Sequence, residues 1–134
     1  MILLDSSFLV AYVLDKDNHH DKSLALMEKI RRGQFGIAYI TDYIFDEVVT
    51  VTMAKSNDIS KAIEVGTYLK DSMAILKLEE ENIDNAWNIF KAQTKGILSF
   101  TDCTNLSEMK AKGIENLATF DRGFMNLKGV TVVT

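Results

Sequence analysis

Short apolar runs alternate along the chain with longer stretches in which apolar residues recur every three or four positions. The runs predict five buried strands, at residues 1–5, 36–40, 74–78, 115–120 and 130–133. The periodic stretches predict helices at residues 6–15, 21–32, 41–56, 60–70, 79–95 and 99–112. Strands that alternate with helices are typical of an α/β fold with a mainly parallel central sheet flanked by helices.

Local signals refine these elements. Asp21 is expected to cap the second helix, because Asp is a preferred N-cap residue. Gly33 and Gly113 are expected to end helices, since glycine readily adopts the left-handed conformation found there. The helical period places Leu24 on the apolar face of the second helix and Trp87 on the inward face of the fifth.

Bulk composition fits one globular domain of 134 residues, with 47% hydrophobic and 25% charged residues. The single cysteine, Cys103, excludes an intrachain disulfide, so a reducing cytoplasm is the simplest setting. We expect no signal peptide, because the start of the chain lacks a basic segment, an apolar core and a small-residue cleavage site. We expect no membrane span, because Asp5 interrupts the first apolar run and no stretch reaches spanning length. The net charge of −4 argues only mildly against nucleic-acid binding, since carboxylates that hold a cation also count as negative.

Four carboxylates stand in four different segments of the chain: Asp5, Glu47, Asp102 and Asp121. Asp5 and Asp121 directly follow predicted strands, and the carboxyl ends of strands are where open α/β sheets bind ligands. Oxygen-only ligands suit Mg²⁺ or Mn²⁺ rather than Zn²⁺. Clustered carboxylates repel each other unless a cation or a shared proton compensates. This combination predicts metal-assisted chemistry on a phosphate.

Each acid also has an ordinary structural interpretation. Asp5 is a possible helix cap, and Asp102 forms a capping-box-like pattern with Ser99. Asp121 precedes Arg122 and Gly123, a pairing common in turns. Taken singly, none of these residues indicates a catalytic site.

The helical acid is ambiguous. On an ideal helix Glu47 and Asp46 border the apolar stripe from opposite sides, so periodicity does not choose between them. Ser7 and Thr119 neighbour acids and are candidates for hydrogen bonds to them, although for either residue taken alone capping or strand-end polarity is the commoner role. His19 lies in a polar loop without a ligand partner at helical spacing, so we assign it no catalytic role.

With these residues in place, the sequence resembles the PIN-domain family, and within it the small VapC-like toxins of toxin–antitoxin modules. The resemblance runs nearly end to end. It includes the opening Leu-Leu-Asp-Ser-Ser-Phe-Leu, an acid in the helix after the second strand, and an Asp that opens a late helix. The closing Ala-Thr-Phe-Asp-Arg-Gly-Phe is its most specific motif. Alignment with that family places its helical acid on Glu47 and not on Asp46.

The resemblance implies one PIN domain over residues 1–134, with a Rossmann-like sheet and Mg²⁺- or Mn²⁺-dependent ribonuclease activity. Asp5, Asp102 and Asp121 would hold the cation, and Glu47 would complete the site or orient the attacking water. The expected products carry a 5′-phosphate and a 3′-hydroxyl. The family also implies RNA as substrate, a cognate antitoxin as partner, a homodimer and a cytoplasmic location.

Two positions depart from the family pattern. Cys103 stands where alanine is common, and we expect a buried small side chain there. Gly123 stands where many members carry a further acid, so one cation is expected rather than two.

Other functions remain open from the sequence. The chain is alternatively an RNA-processing or structure-specific DNA nuclease without an antitoxin, or a catalytically silent PIN-like binding module. A phosphoacceptor receiver domain is disfavoured, because Asp5 has no paired acid beside it. A phosphatase of the haloacid dehalogenase type would need an acid where Ser7 stands.

Overall fold

The computed structural model describes residues 1–134 as five strands and six α-helices, with one 3-10 turn at Arg122–Phe124. The strands are β1 (Ile2–Leu4), β2 (Ala38–Thr41), β3 (Ala74–Leu76), β4 (Asn116–Ala118) and β5 (Thr131–Val133). The helices are α1 (Ser6–Val13), α2 (His20–Arg31), α3 (Asp42–Ser56), α4 (Ile59–Ser72), α5 (Glu80–Lys91) and α6 (Phe100–Lys112). The predicted α/β class is therefore confirmed.

All strand pairs are parallel, and the order across the sheet is β3-β2-β1-β4-β5. The chain builds outward from β1 to β3 and then returns to add β4 and β5 on the other side of β1. The order reverses between β1 and β4, and open α/β sheets bind ligands at the carboxyl ends of the strands beside such a reversal. Leu4 pairs with Ala118, so Asp5 and Thr119 emerge together at that point.

The central strand is buried on both faces, as expected for a parallel sheet covered by helices on each side. Ile2, Leu3 and Leu4 have no exposed surface. Phe8 of α1 and Phe124 of the 3-10 turn are equally buried within the same core. This packing fixes the positions at which β1 and β4 end.

Side chains cap the N-termini of three of the six helices, α3, α4 and α6. The Thr41 hydroxyl caps α3 by accepting a hydrogen bond from the backbone N–H of Ile44 at 3.0 Å. Gly113 ends α6 in the left-handed conformation, with φ of 67°. The prediction for Asp21 was wrong: α2 begins one residue earlier, and Asp21 lies in its first turn, where the helix dipole favours an acid.

The predicted burial of two apolar side chains, Leu24 on α2 and Trp87 on α5, was also wrong. Leu24 is 45% exposed and Trp87 is 50% exposed. On α5 only Ala86 is fully buried, because a narrow face of that helix packs against α6. Trp87 stands at the border of this face, where its ring stacks on Phe90 with centroids 5.6 Å apart. No helix of the protein combines the length and the hydropathy needed to cross a lipid bilayer.

Candidate active site

Asp5 follows β1 directly and is only 1% exposed. Its Oδ2 accepts hydrogen bonds from the hydroxyls of Ser7 and Thr119, each at 2.7 Å. Its Oδ1 accepts a third from the side-chain amide of Asn105 at 3.1 Å. Asp5 occupies the N-cap position of α1 without making a capping hydrogen bond. The capping interpretation therefore does not explain this carboxylate.

The pKa of Asp5 is raised from its ordinary value because burial disfavours the charged form. The hydrogen bonds from Ser7 and Thr119 act in the opposite direction by stabilising the carboxylate. Asp5 is thus a desolvated acid, and a cation placed beside it would stabilise its charged form.

Ser7 and Thr119 do more than contact Asp5. Each hydroxyl has a single proton, and both protons are directed at Asp5. Their oxygens accept backbone N–H groups in turn, from Phe120 for Ser7 and from Asp121 for Thr119, each at 3.0 Å. The hydrogen bonds to acids suggested by the sequence are present, and they fix the backbone of Asp121 relative to Asp5.

Asp102 lies in the first turn of α6 and is 7% exposed. The predicted capping box is present: Ser99 Oγ accepts from the Asp102 N–H at 3.1 Å, and Asp102 Oδ2 accepts from the Ser99 N–H at 2.8 Å. The pKa of Asp102 is raised to about 6, chiefly because burial disfavours the charged form, and the negative charges of Asp5 and Asp121 contribute smaller parts of the same shift. Asp102 is therefore close enough to both acids to interact with their charges.

Asp121 is partly buried and begins the 3-10 turn, where its Oδ1 accepts from the backbone N–H of Gly123 at 2.7 Å. A Cβ added at Gly123 would lie 3.2 Å from that oxygen and 3.2 Å from Leu98 Cδ2. The absence of a further acid at position 123 therefore coincides with tight packing beside Asp121.

Glu47 is partly buried on α3, whereas its neighbour Asp46 is exposed. Glu47 lines an open cavity of ≈ 340 Å³ together with Ser7 and Asp121. Of the two acids that the helical period left undecided, only Glu47 faces this end of the sheet.

Three further polar side chains at this site were not anticipated from the sequence. Lys55 lies two helical turns after Glu47 on α3 and lines the same cavity. His19, for which the sequence indicates no catalytic role, also lines this cavity and stacks on the Phe120 ring with centroids 4.4 Å apart. Asn105 lies one helical turn after Asp102. This spacing, which places the two side chains on the same face of α6, is the only feature of the sequence that links Asn105 to the site.

The donor set suits a hard divalent cation, but the side chains do not form a ready-made cage. Asp102 Oδ1 and Asp121 Oδ2 accept no hydrogen bond from the protein, and Asp5 Oδ1 accepts one from a side chain. No three His, Cys, Asp or Glu side chains stand close enough together to hold one ion directly. Mg²⁺ keeps several waters and needs only one or two carboxylates, so this arrangement fits such an ion with water completing its shell.

Cys103 is fully buried, as expected for a small core side chain. Burial raises the pKa of its thiol, and the charge of Asp102 adds to that effect. The thiol is thus kept protonated and is unsuited to act as a nucleophile.

A family model described as "PIN domain" matches residues 2–130. A protein of Archaeoglobus fulgidus named VapC ribonuclease is 29% identical over 125 residues, which cover 91% of this chain and 78% of that relative.

Two crystal structures have similar folds. The first is that of Mycobacterium tuberculosis VapC20, described as a sarcin-ricin loop cleaving toxin. It has a TM-score of 0.81 and 20% identity, with 91% of each chain covered. The second, PAE2754 from Pyrobaculum aerophilum, has a TM-score of 0.65 and 20% identity over 98% of this chain and 88% of that one. These likenesses support the fold described above.

Proposed function

Since the chain belongs to the PIN-domain family, we propose that it is a divalent-cation-dependent endoribonuclease and the toxin of a toxin–antitoxin module. The observation that carries the proposal is the grouping of Asp5, Asp102 and Asp121 where β1, β4 and α6 meet. Burial is the main cause of the raised pKa of Asp102, and the charges of Asp5 and Asp121 add to it. A bound cation would offset both the lost solvation and the repulsion.

RNA is the proposed substrate because the matched relative from Archaeoglobus fulgidus is named a ribonuclease, and the structurally similar VapC20 is described as a sarcin-ricin loop cleaving toxin. The cavity beside the acids suits a polyanion in one respect: Lys55 places a positive charge on its wall.

Asp5, Asp102 and Asp121 would hold Mg²⁺ or Mn²⁺, directly or through water. When bound, such a cation lowers the pKa of its water and neutralises charge on the phosphate. Glu47 faces the same cavity and would orient the attacking water or accept its proton. Ser7 and Thr119 hold Asp5 in position, and Lys55 would contact a phosphate of the substrate.

The direct test is cleavage of a structured RNA with Mn²⁺, with and without EDTA, by the wild type and by Asp5→Asn. The proposal expects cleavage only by the wild type with Mn²⁺, leaving a 5′-phosphate and a 3′-hydroxyl. Equal cleavage by both proteins would contradict it. A matched DNA strand in the same assay would reveal a DNA nuclease instead.

The toxin role needs a separate test. Expression of the wild type in a bacterial host is expected to arrest growth, and expression of Asp5→Asn is not. Relief of the arrest by co-expression of a small protein encoded beside this gene would identify the antitoxin. Unimpaired growth with active enzyme would favour an RNA-processing nuclease.

A further inference from the structure

Asn105 is a fully buried amide whose two ends have different surroundings. It has no exposed surface, although α6 carries it within reach of the carboxyl end of β1. Its Nδ2 donates to Asp5 Oδ1 at 3.1 Å. Its Oδ1 has no hydrogen-bond donor anywhere in the protein. Buried amide oxygens are nearly always paired, so this atom needs an explanation.

The orientation of the amide follows from its neighbour. Oδ2 of Asp5 already takes two hydroxyl protons, and a carboxylate oxygen requires a donor opposite it. Nδ2 is the end of Asn105 that can donate, so the bond to Asp5 fixes this end of the amide on the carboxylate. Oδ1 is therefore the end that remains without a protein partner.

Two other buried side-chain atoms lack a partner, Thr52 Oγ1 and Glu108 Oε1. Neither the Thr52 nor the Glu108 side chain makes a hydrogen bond to any of the four acids. The carboxylate of Glu108 accepts from the side-chain amide of Asn82. Asn105 is the only one of the three whose side chain also holds a candidate cation ligand.

We propose that Asn105 is a positioning residue of the cation site, with Nδ2 fixing Asp5 and Oδ1 accepting a hydrogen bond from a water bound to the cation. This inference rests on the proposed function and deepens it. A neutral oxygen at this point orders the water shell without adding a further negative charge to acids that already repel each other.

The test measures Mn²⁺ affinity by titration calorimetry and by the Mn²⁺ electron paramagnetic resonance signal, at one pH above 7. Asn105→Leu, close in size but without polar atoms, is expected to bind Mn²⁺ about 10- to 100-fold more weakly. Asn105→Ser keeps one donor and one acceptor and is expected to bind more tightly than Asn105→Leu. Thr104→Val is the matched control, because that buried α6 hydroxyl donates to the carbonyl of Thr101 and not to an acid.

A second readout separates cation binding from folding. Thermal unfolding in EDTA measures the fold alone, and the rise in Tm on adding Mn²⁺ measures binding to the folded state. Asn105→Leu is expected to show a much smaller Mn²⁺-induced rise than Thr104→Val. Asn105→Ser provides the same comparison if the leucine variant does not fold.

These measurements distinguish a failure of the proposed role of Asn105 from a failure of the proposed cation site. Asn105→Leu binding Mn²⁺ as tightly as the wild type, while Asp5→Asn loses it, would overturn the role of Asn105 alone. Thr104→Val weakening Mn²⁺ as much as Asn105→Leu would overturn it as well, in favour of general packing. Equal Mn²⁺ binding by the wild type and Asp5→Asn would remove the proposed cation site, and this inference with it.

Discussion

The Thr119 hydroxyl donates a 2.7 Å hydrogen bond to the carboxylate of Asp5, across 114 positions of the chain. It joins the residue after β4 to the residue after β1, at the point where the strand order reverses. The backbone N–H of Asp121 then donates to the same Thr119 oxygen. One threonine thus sets the position of one acid and the backbone of another.

Thr119→Val tests this linkage. The substitution keeps the shape, but Asp5 loses one of its three side-chain donors and the Asp121 N–H loses its acceptor. We expect a loss of about 1–3 kcal/mol in the free energy of unfolding, measured by denaturant titration in EDTA. Thr50→Val, on the exposed side of α3, is the control and should change stability by less than about 0.5 kcal/mol.

Glu47 and Asp46 form a matched pair of adjacent acids on α3. Glu47→Gln is expected to lower kcat for RNA cleavage by about 100- to 10,000-fold, because the carboxylate that faces the cavity is lost. Asp46→Asn should leave kcat nearly unchanged, since Asp46 is exposed. A larger loss in Asp46→Asn than in Glu47→Gln would show that the wrong acid was chosen.

Cation binding should depend on pH through Asp102, whose pKa is about 6. Below that pH a proton occupies the carboxylate and competes with the cation. Mn²⁺ affinity is therefore expected to fall about tenfold for each pH unit below 6 and to level off above it. Calorimetry from pH 5 to 8 measures this dependence. A flat profile would contradict a ligand role for Asp102.

The Asp102 carboxylate also makes the cation-free protein less stable as pH rises. The folded pKa of Asp102, about 6, lies above the ordinary value of 3.8, so the folded state binds the extra proton between these values. Its stabilising contribution is full below 3.8 and is lost as pH rises through about 6. Asp102→Asn should therefore unfold at a higher temperature than the wild type in EDTA at pH 7, and it should gain nothing from Mn²⁺.

Lys55 should act on substrate affinity rather than on chemistry. Lys55→Ala is expected to raise KM for RNA roughly threefold to tenfold and to reduce the salt dependence of binding, with kcat little changed. Lys112→Ala, at the far end of α6 from Asp102, is the control and should behave like the wild type. Matching effects in both variants would indicate nonspecific attraction instead of a contact in the cavity.

Sequence patterns predicted the strands, the helices and the acids that follow β1 and β4, because each of these features depends on residues close together in the chain. Apolar runs identified β1 and β4, and Asp5 and Asp121 directly follow those strands or the residue pair beyond them. The predicted ends of helices were less accurate where no glycine or capping residue marks the end. The helix predicted to reach residue 95 ends at Lys91, and the Gln93 side chain just beyond it bonds the backbone N–H and carbonyl of Leu98.

What the sequence could not provide was contact between distant side chains. Nothing local distinguishes Asn105 from a solvated helix residue, and its role depends on the approach of α6 to β1. The sequence places His19 in a polar loop without a ligand partner. Its stacking on Phe120 depends on the fold, which brings the loop before α2 next to the segment after β4. Exposure of Trp87 likewise depends on which narrow face of α5 the neighbouring helix covers.

The central claim is that acids from separate segments share one divalent cation. The most direct measurement is anomalous diffraction from crystals of the wild type soaked in Mn²⁺. The account predicts one peak bordered by Asp5, Asp102 and Asp121, with the amide oxygen of Asn105 facing its water shell. Fully occupied Mn²⁺ elsewhere on the protein, with no peak between these three carboxylates, would contradict it.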